Sequence, residues 1–520
     1  MNKVQPKTCS LTSVNGMNNI KHGMPFSDIT FPSFAFPCFT FMATLLFSLM
    51  IIPSASHASE YSPPGLYDVE QLTLENGLDV ILKTRPGANT FSLRIWAGIG
   101  TQDFPCKQQE TPHFLEHLLF TGTSKHTETE LEHLVADHGG SWNAATGDEE
   151  TTYKMDIYSR YAAFAIDTLY EIMTDSSITE ENVETSRDII HREAGGRPSA
   201  IKQWFRLHGF GVNATEKAAR QLLPGSNFIC DAYVTADGIS RDDIIDTFEK
   251  YYVPANMALI AVGNFDKQQV IEQIQKTFGS ITKKPVTEKN KPALDTASSY
   301  EAVTGTFSPL LSDDANIGVI YRIPGYWSDD HYPLMVIEEY LYFKINETIR
   351  IDRGLSYAPG TWSYATSKFG LFGAHADVGL EDTEEALNLI KTEMRELAER
   401  PMNAELLEKS KLKILLQSVQ GYESNASIAD YYTSQYVLFR KDRFYENIEN
   451  KIEAVTTDDI NRIVQQHLTE DKAVTILETP TLTYTQLYIV LSLFSIITLF
   501  AIIAIYLRTH RHHLNKKYKR

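Results

Sequence analysis

Residues 111–117 read TPHFLEH, and this short stretch indicates both a local structure and a chemistry. Thr111 can cap the start of a helix that carries the rest of the stretch. His113 and His117, four residues apart, would then share one face of that helix, and two imidazoles so placed can bind one Zn²⁺ ion. Glu116 would lie beside the open metal position, where a carboxylate can take a proton from bound water. The spacing H-x-x-E-H inverts the HExxH zinc motif.

The composition around this motif is that of a globular protein with more than one domain. At 520 residues, 43% hydrophobic and 22% charged, the chain is too long for one core and too apolar for a disordered protein. Its net charge of -18 argues against nucleic-acid binding, which depends on lysine and arginine. Four cysteines are too few for a disulfide scaffold, and pairing of Cys106 with Cys230 is left open.

Strand-like and helical segments alternate along the body of the chain. Residues 69–82 alternate between apolar and polar side chains around an Asn-Gly turn, which predicts a pair of strands. Residues 127–138 begin with a capping box, which predicts a helix. A polar, proline-containing stretch at 283–299 predicts a linker. The pattern predicts an α+β fold with two similar α/β-layer domains, at residues 59–285 and 300–478.

Both ends of the chain carry membrane-targeting features. The segment that begins at Leu487 and ends at Leu507 has no charged residue and, at about 1.5 Å per residue, spans about 31 Å as a helix, enough to cross a bilayer. The tail at residues 508–520 holds six Lys/Arg and no acid, which predicts a cytoplasmic end. Residues 1–58 resemble a cleavable signal peptide, with an uncleaved anchor as the alternative. The body between would lie outside the cytoplasm, in the periplasm of a Gram-negative cell.

Several stretches together resemble one family of enzymes. FLEHLLFTGT at 114–123, GGSWNAATGDEETTY at 139–153 and SRDIIHRE at 186–193 are similar to motifs of the pitrilysin/insulinase family of zinc metallopeptidases, in the same order. The length matches single-half members such as mitochondrial processing peptidase. This resemblance implies a fold of two similar domains, each a sheet covered by helices, and one Zn²⁺ per chain.

The resemblance also implies a third zinc ligand. The family takes it from a glutamate on another helix, which corresponds here to Glu193. Glu181 and Glu184 are weaker alternatives. The family usually has a second glutamate two turns before the ligand, and Ser186 occupies that position here. If that glutamate orients a ligand, the serine implies weaker metal binding unless Glu184 compensates.

The remaining residues implied by the resemblance contact the substrate. Asn143, Ala144 and Thr146 resemble the edge strand along which the family lays its substrate as an added strand. Arg350 and Tyr357, in the second domain, match an Arg–Tyr pair that binds the substrate backbone and stabilises the tetrahedral oxyanion.

Together these features predict a membrane-anchored zinc endopeptidase of peptides or unfolded polypeptides. Glu116 would be the general base. Since larger family members join two such halves around a chamber, a single half implies a homodimer or a heterodimer with a related subunit. The alternatives are a non-catalytic subunit or scaffold of a processing-peptidase-like complex, and a processing enzyme for one dedicated precursor.

Overall fold

The structure is a computed structural model of the chain, and it describes residues 66–289, 295–400, 402–420, 422–442 and 447–517. The predicted signal peptide at residues 1–58 lies outside these ranges, as do the last three residues of the basic tail.

The first domain is built on a six-stranded sheet of order β1-β2-β6-β3-β5-β4, in which β4 is an edge strand. Its strands are β1 (Glu70–Thr73), β2 (Asp79–Thr84), β3 (Thr90–Ala97), β4 (Ser141–Thr146), β5 (Thr151–Tyr158) and β6 (Met257–Gly263). Its helices are α1 (Thr111–Leu118), α2 (Glu128–Asp137), α3 (Ala162–Asp175), α4 (Glu180–Glu193), α5 (Ala200–Leu207), α6 (Ala214–Leu222), α7 (Arg241–Tyr251) and α8 (Lys267–Lys276).

The second domain repeats this plan on a five-stranded sheet of order β7-β11-β8-β10-β9. Its strands are β7 (Val303–Leu311), β8 (Asp314–Pro324), β9 (Gly360–Ala365), β10 (Phe369–Gly379) and β11 (Val474–Leu482). Its helices are α9 (His331–Ile345), α10 (Thr383–Glu399), α11 (Ala404–Gln420), α12 (Asn425–Asp442), α13 (Ile448–Glu453) and α14 (Thr457–His467), before the C-terminal helix α15 (Tyr484–Lys517).

The two sheets share one connectivity. In each, the last strand of the domain inserts between two earlier, consecutive strands, parallel to one and antiparallel to the other: β6 between β2 and β3, and β11 between β7 and β8. The predicted pair of similar α+β domains is therefore confirmed. The described residues between Ser280 and Val303 form no helix or strand, which is compatible with the predicted linker; the domain boundaries themselves stay predictions.

The zinc motif lies on a helix that is fixed by its apolar face. Phe114, Leu115 and Leu118 of α1 are fully buried in the core beneath the first sheet, so that the residues between them face outward. The helix begins at Thr111, with Glu110 at the capping position, and the Thr111 hydroxyl makes no capping hydrogen bond. The predicted cap at Thr111 is therefore wrong, because the helix starts one residue earlier than the sequence suggests.

Each domain also covers the sheet of the other with one helix. Tyr432 and Tyr436 of α12 pack against the outer face of the first sheet, where Arg94 of β3 donates to Asp430 at 2.8 Å. Ala218 and the other small residues of α6 pack in the same way on the second sheet. The exchange ties the two domains together, with α12 against β3 and β6 and α6 against β7, β8 and β11.

A disulfide joins Cys106, in the loop that leads into α1, to Cys230 in the segment after α6. The pairing that the sequence left open is thus present. It anchors the approach to the zinc motif, since the loop closed by the bridge contains both α1 and α4.

Within the described ranges, one helix is long and apolar enough to cross a membrane, judged by length and composition. It covers Tyr484–Arg511, its most apolar stretch of 18 residues has a mean hydropathy of 2.7, and none of that stretch is buried. It contains the whole of the predicted span.

Candidate metal centre

Three predicted ligand atoms converge between α1 and α4. His113 and His117 lie one turn apart, with their Nε2 atoms 3.1 Å from each other. Glu193, the last residue of α4, places Oε2 at 3.3 Å from Nε2 of His113 and at 3.5 Å from Nε2 of His117. Glu116 lies on the same side of α1, with a carboxylate oxygen within 4.8 Å of both ligand nitrogens.

The three distances suit a zinc ion. Tetrahedral Zn²⁺ with bonds of about 2.0–2.1 Å separates its ligand atoms by about 3.3 Å, and the observed separations of 3.1, 3.3 and 3.5 Å lie around that value. Two imidazoles and one carboxylate are also the donor set of catalytic zinc sites that keep a position open for water. The residues present therefore fit one zinc ion per chain.

Glu110 fixes the orientation of the first histidine. Its Oε2 lies 2.8 Å from Nδ1 of His113, so that Nδ1–H donates to the carboxylate and the lone pair of Nε2 is free to bind a metal. The sequence analysis missed this residue. The signal for it was a carboxylate three positions before a histidine, at a spacing that brings both to one helix face.

The electrostatics of the pair reflect several negative charges around a partly buried site. Burial opposes charge on His113, but the carboxylates of Glu110, Glu116 and Glu193 outweigh it and raise its pKa. Burial lowers the pKa of His117, and the neighbouring His113 lowers it further. The carboxylates therefore favour positive charge at His113, beside the point where the ligand atoms converge.

The catalytic candidate Glu116 has a hydrogen-bond partner of its own. The Thr146 hydroxyl, at the end of β4, donates to Oε2 of Glu116 at 2.6 Å. No hydrogen bond within the described residues engages the other carboxylate oxygen of Glu116. One oxygen is therefore held while the other remains available beside the ligand cluster.

The serine that replaces the second glutamate of the family pattern on α4 is buried. Ser186 lies two turns before Glu193, and its hydroxyl has no hydrogen-bond partner among the described residues. Glu184 does not compensate for it, because its exposed carboxylate pairs with Arg187 at 3.3 Å. Glu181 is exposed in the first turn of α4, so that neither alternative replaces Glu193 beside the histidines.

The predicted substrate strand is the edge of the first sheet. Asn143 is exposed and its Oδ1 accepts from the backbone N–H of Ala144 at 2.9 Å, whereas the Ala144 side chain packs into the core. Thr146, which is also predicted to contact the substrate, directs its hydroxyl to Glu116. The backbone of β4 thus runs from an exposed end to the candidate base.

Arg350 and Tyr357 contact each other in the second domain. Arg350 belongs to a π-helical turn, Asn346–Ile351, that continues α9; such turns are frequent at functional sites. Its guanidinium stacks 4.6 Å from the ring centre of Tyr357, which is 80% exposed. Within the described part of the chain, no hydrogen bond or ion pair joins either residue to the ligand cluster.

Two family models match the sequence. The model described as "Insulinase (Peptidase family M16)" covers residues 79–201, which include all three zinc-ligand candidates and Glu116. The model described as "Peptidase M16 inactive domain" covers residues 238–414, in which Arg350 and Tyr357 lie.

Known proteins match over most of the chain. The mitochondrial-processing peptidase subunit beta of Lentinula edodes is 26% identical over 416 residues, covering 76% of this chain and 86% of that protein. An uncharacterized zinc protease of Streptomyces coelicolor is 24% identical over 416 residues, covering 78% and 88%. A protease of Helicobacter pylori has a similar fold, with a TM-score of 0.65 at 17% identity, covering 79% of this chain and 99% of that one.

Proposed function

The chain belongs to the insulinase (M16) family of peptidases, and on that premise we propose that it is a membrane-anchored, zinc-dependent endopeptidase. The observation that carries the proposal is the convergence of His113 Nε2, His117 Nε2 and Glu193 Oε2 within 3.5 Å of one another. Glu116 stands beside this cluster with one oxygen unengaged, the arrangement that a general base for an attacking water requires.

The residues of the site would divide the reaction among them. His113, His117 and Glu193 would hold the zinc ion, which when bound supplies a Lewis acid that polarises a carbonyl and acidifies a water molecule. Glu116 would take the proton of the attacking water and then deliver it to the leaving amine. Arg350 and Tyr357 would donate hydrogen bonds to the oxygen on which negative charge develops.

The substrate class follows from the edge strand. An extended peptide that pairs with the backbone of β4 would be read by its conformation more than by its side chains. We therefore expect the full chain, in detergent, to cut unstructured peptides at internal bonds. The same peptide sequence should stay intact when it is part of a folded protein. Mass spectrometry of the products distinguishes internal cleavage from trimming at the ends, and trimming alone would contradict an endopeptidase.

The active site would be completed by a second chain. Arg350 and Tyr357 are exposed and contact each other, and within the described residues no hydrogen bond or ion pair joins them to the ligand cluster of their own chain. In a dimer of two such chains, the pair of one chain could face the zinc site of the other. The partner would be a second copy or a related subunit.

The proposed membrane anchorage rests on the apolar helix α15, and its orientation rests on the basic tail after the helix and on the disulfide in the body before it. The apolar helix is followed by a tail in which residues 508–520 carry six Lys/Arg and no acid, so the tail would be cytoplasmic. The Cys106–Cys230 disulfide fits an oxidising compartment for the peptidase body.

The topology predicts a protease-protection result. Protease added outside intact spheroplasts should release the soluble body and leave a tag on Arg520 undigested, because the bilayer shields the tail. Lysed spheroplasts are the control, in which the tag should disappear. Digestion of the tag in intact spheroplasts would mean the opposite orientation.

One observation favours a second candidate function, a non-catalytic subunit of a heteromeric complex. The second half of the chain matches a model named for an inactive domain. That match begins after Glu193, so it leaves the zinc-ligand candidates untouched. A chain of this kind would stay inactive after zinc loading.

A further inference from the structure

The hydroxyl of Thr146 forms the one hydrogen bond that the structure gives to the carboxylate of Glu116 within its described residues, at 2.6 Å from Oε2. A carboxylate on a free side chain samples several rotamers, and a general base acts well only when it is held near the proton it removes. A donor to one oxygen fixes the carboxylate and leaves its second oxygen for the reaction. Thr146 therefore occupies the position of a support for the base.

Thr146 is itself held from two sides. It ends β4 opposite Thr151 of β5, at the start of a four-residue turn from Gly147 to Glu150. The turn is closed by a hydrogen bond from Gly147 N–H to the Glu150 carbonyl at 2.8 Å, and Thr101 N–H donates to the Gly147 carbonyl at 3.0 Å. These bonds fix the backbone directly beside Thr146 to the first domain.

Residues of the second domain donate hydrogen bonds to the acidic side chains of this turn. The Tyr364 hydroxyl donates to Asp148 at 2.7 Å. The backbone N–H and the hydroxyl of Ser367 donate to the two oxygens of the buried Glu149 at 2.7 and 2.8 Å, and the Tyr326 hydroxyl donates to it as well. We define these contacts of Asp148 and Glu149 as the acidic clasp.

Burying neighbouring carboxylates costs free energy, which argues that the acidic clasp is more than a surface contact. Three consecutive acids lie close together at the turn, and burial, with the charges of Glu149 and Asp148, raises the pKa of Glu150 to about 7. A buried carboxylate is stable only with donors around it. Glu149 has such donors, and they come from the other domain.

We propose that Thr146 is a positioning residue for the Glu116 carboxylate, and that the second domain holds it in place through the acidic clasp. The inference rests on the proposed peptidase function and assigns Thr146 a part that does not involve contact with the substrate. It also makes the second domain a support of the base in its own chain, independent of any partner chain.

The direct test compares Thr146→Val with Thr146→Ser in the full chain. Valine keeps the branched shape and removes the donor, and we expect kcat to fall by about 10- to 100-fold with little change in KM. Serine keeps the donor and should stay close to the wild type. Zinc content and melting temperature should be unchanged in both variants. A crystal structure of the valine variant should show the Glu116 carboxylate moved or in several rotamers.

The clasp has a matched test of its own. Tyr364→Phe removes the donor to Asp148 and keeps the ring against Phe228; it should lower kcat in the same way, to a smaller extent, without loss of zinc. Tyr300→Phe, at an exposed tyrosine of the second domain, is the control and should behave as the wild type.

The outcomes separate this inference from the function on which it rests. A wild-type chain that binds zinc but does not cut peptides would overturn both. An active wild type whose Thr146→Val variant keeps wild-type kcat, or loses zinc together with activity, would overturn only the role of Thr146. Failure of serine to rescue would do the same, because the hydroxyl would then be irrelevant. Wild-type kcat in the Tyr364→Phe variant would overturn the proposed role of the acidic clasp.

Discussion

Glu116→Gln should lower kcat for peptide hydrolysis by about 10²- to 10⁴-fold, the usual contribution of a general base, and leave about one zinc bound per chain. Glutamine has nearly the shape of glutamate and can still accept the hydrogen bond of Thr146, so the site should keep its structure. It cannot take the proton of the attacking water. The ligand atoms belong to His113, His117 and Glu193, which the substitution leaves in place.

The measurement is kcat and metal content on the same preparation. Glu249→Gln, at an exposed glutamate of α7, is the matched control and should behave as the wild type in both. A Glu116→Gln chain with wild-type turnover would refute its role as the base. A chain that loses its zinc would show instead that Glu116 supports the metal.

Two inactive variants should restore activity to each other when they share a dimer. Tyr357→Phe removes a donor to the developing oxyanion, which typically costs about 10²- to 10³-fold in kcat. If the Arg350–Tyr357 pair serves the zinc site of the partner chain, a dimer of one Glu116→Gln chain and one Tyr357→Phe chain contains one site with both residues intact. Each mixed dimer should then recover up to half of the wild-type activity.

The experiment is co-expression with two different tags, sequential purification of mixed dimers and a peptide assay. The control pairs Glu116→Gln with a chain that carries both substitutions, a combination in which no site is complete. Activity at the level of this control, in dimers shown to be mixed, would mean that each site is built within one chain or that Tyr357 has no part in the reaction.

Local patterns in the sequence predicted the helix that carries the two candidate histidine ligands. The i, i+4 spacing of His113 and His117 placed both on one face of α1 because a helix has a fixed period. The capping box at Thr127 predicted α2 in the same way. The prediction that Glu193 lies beside His113 and His117 came from the resemblance, since nothing in the local spacing joins α4 to α1.

The features that sequence reasoning missed depend on contacts between distant segments. Arg94 reads as an interruption in an apolar strand until its partner Asp430, on a helix of the other domain, is known. The exchange of α6 and α12 is invisible to periodicity for the same reason. The hydrogen bond from the Thr146 hydroxyl to Glu116 is likewise invisible in the sequence, and the contact of Thr146 with the substrate, which the resemblance implies, stays a prediction. Strand patterns specify which face a side chain occupies, but not its partner.

The central claim is that zinc bound by His113, His117 and Glu193 is required for peptide hydrolysis, and titration of the metal-free protein tests it most directly. The full chain is stripped with a chelator, dialysed, and given zinc in small steps, and hydrolysis of an unstructured peptide is followed at each step. We expect no hydrolysis without metal and a rise that levels off at about one zinc per chain, with no such rise in Glu193→Ala. Wild-type hydrolysis by the metal-free chain, or a chain that binds zinc and remains inactive, would contradict the account.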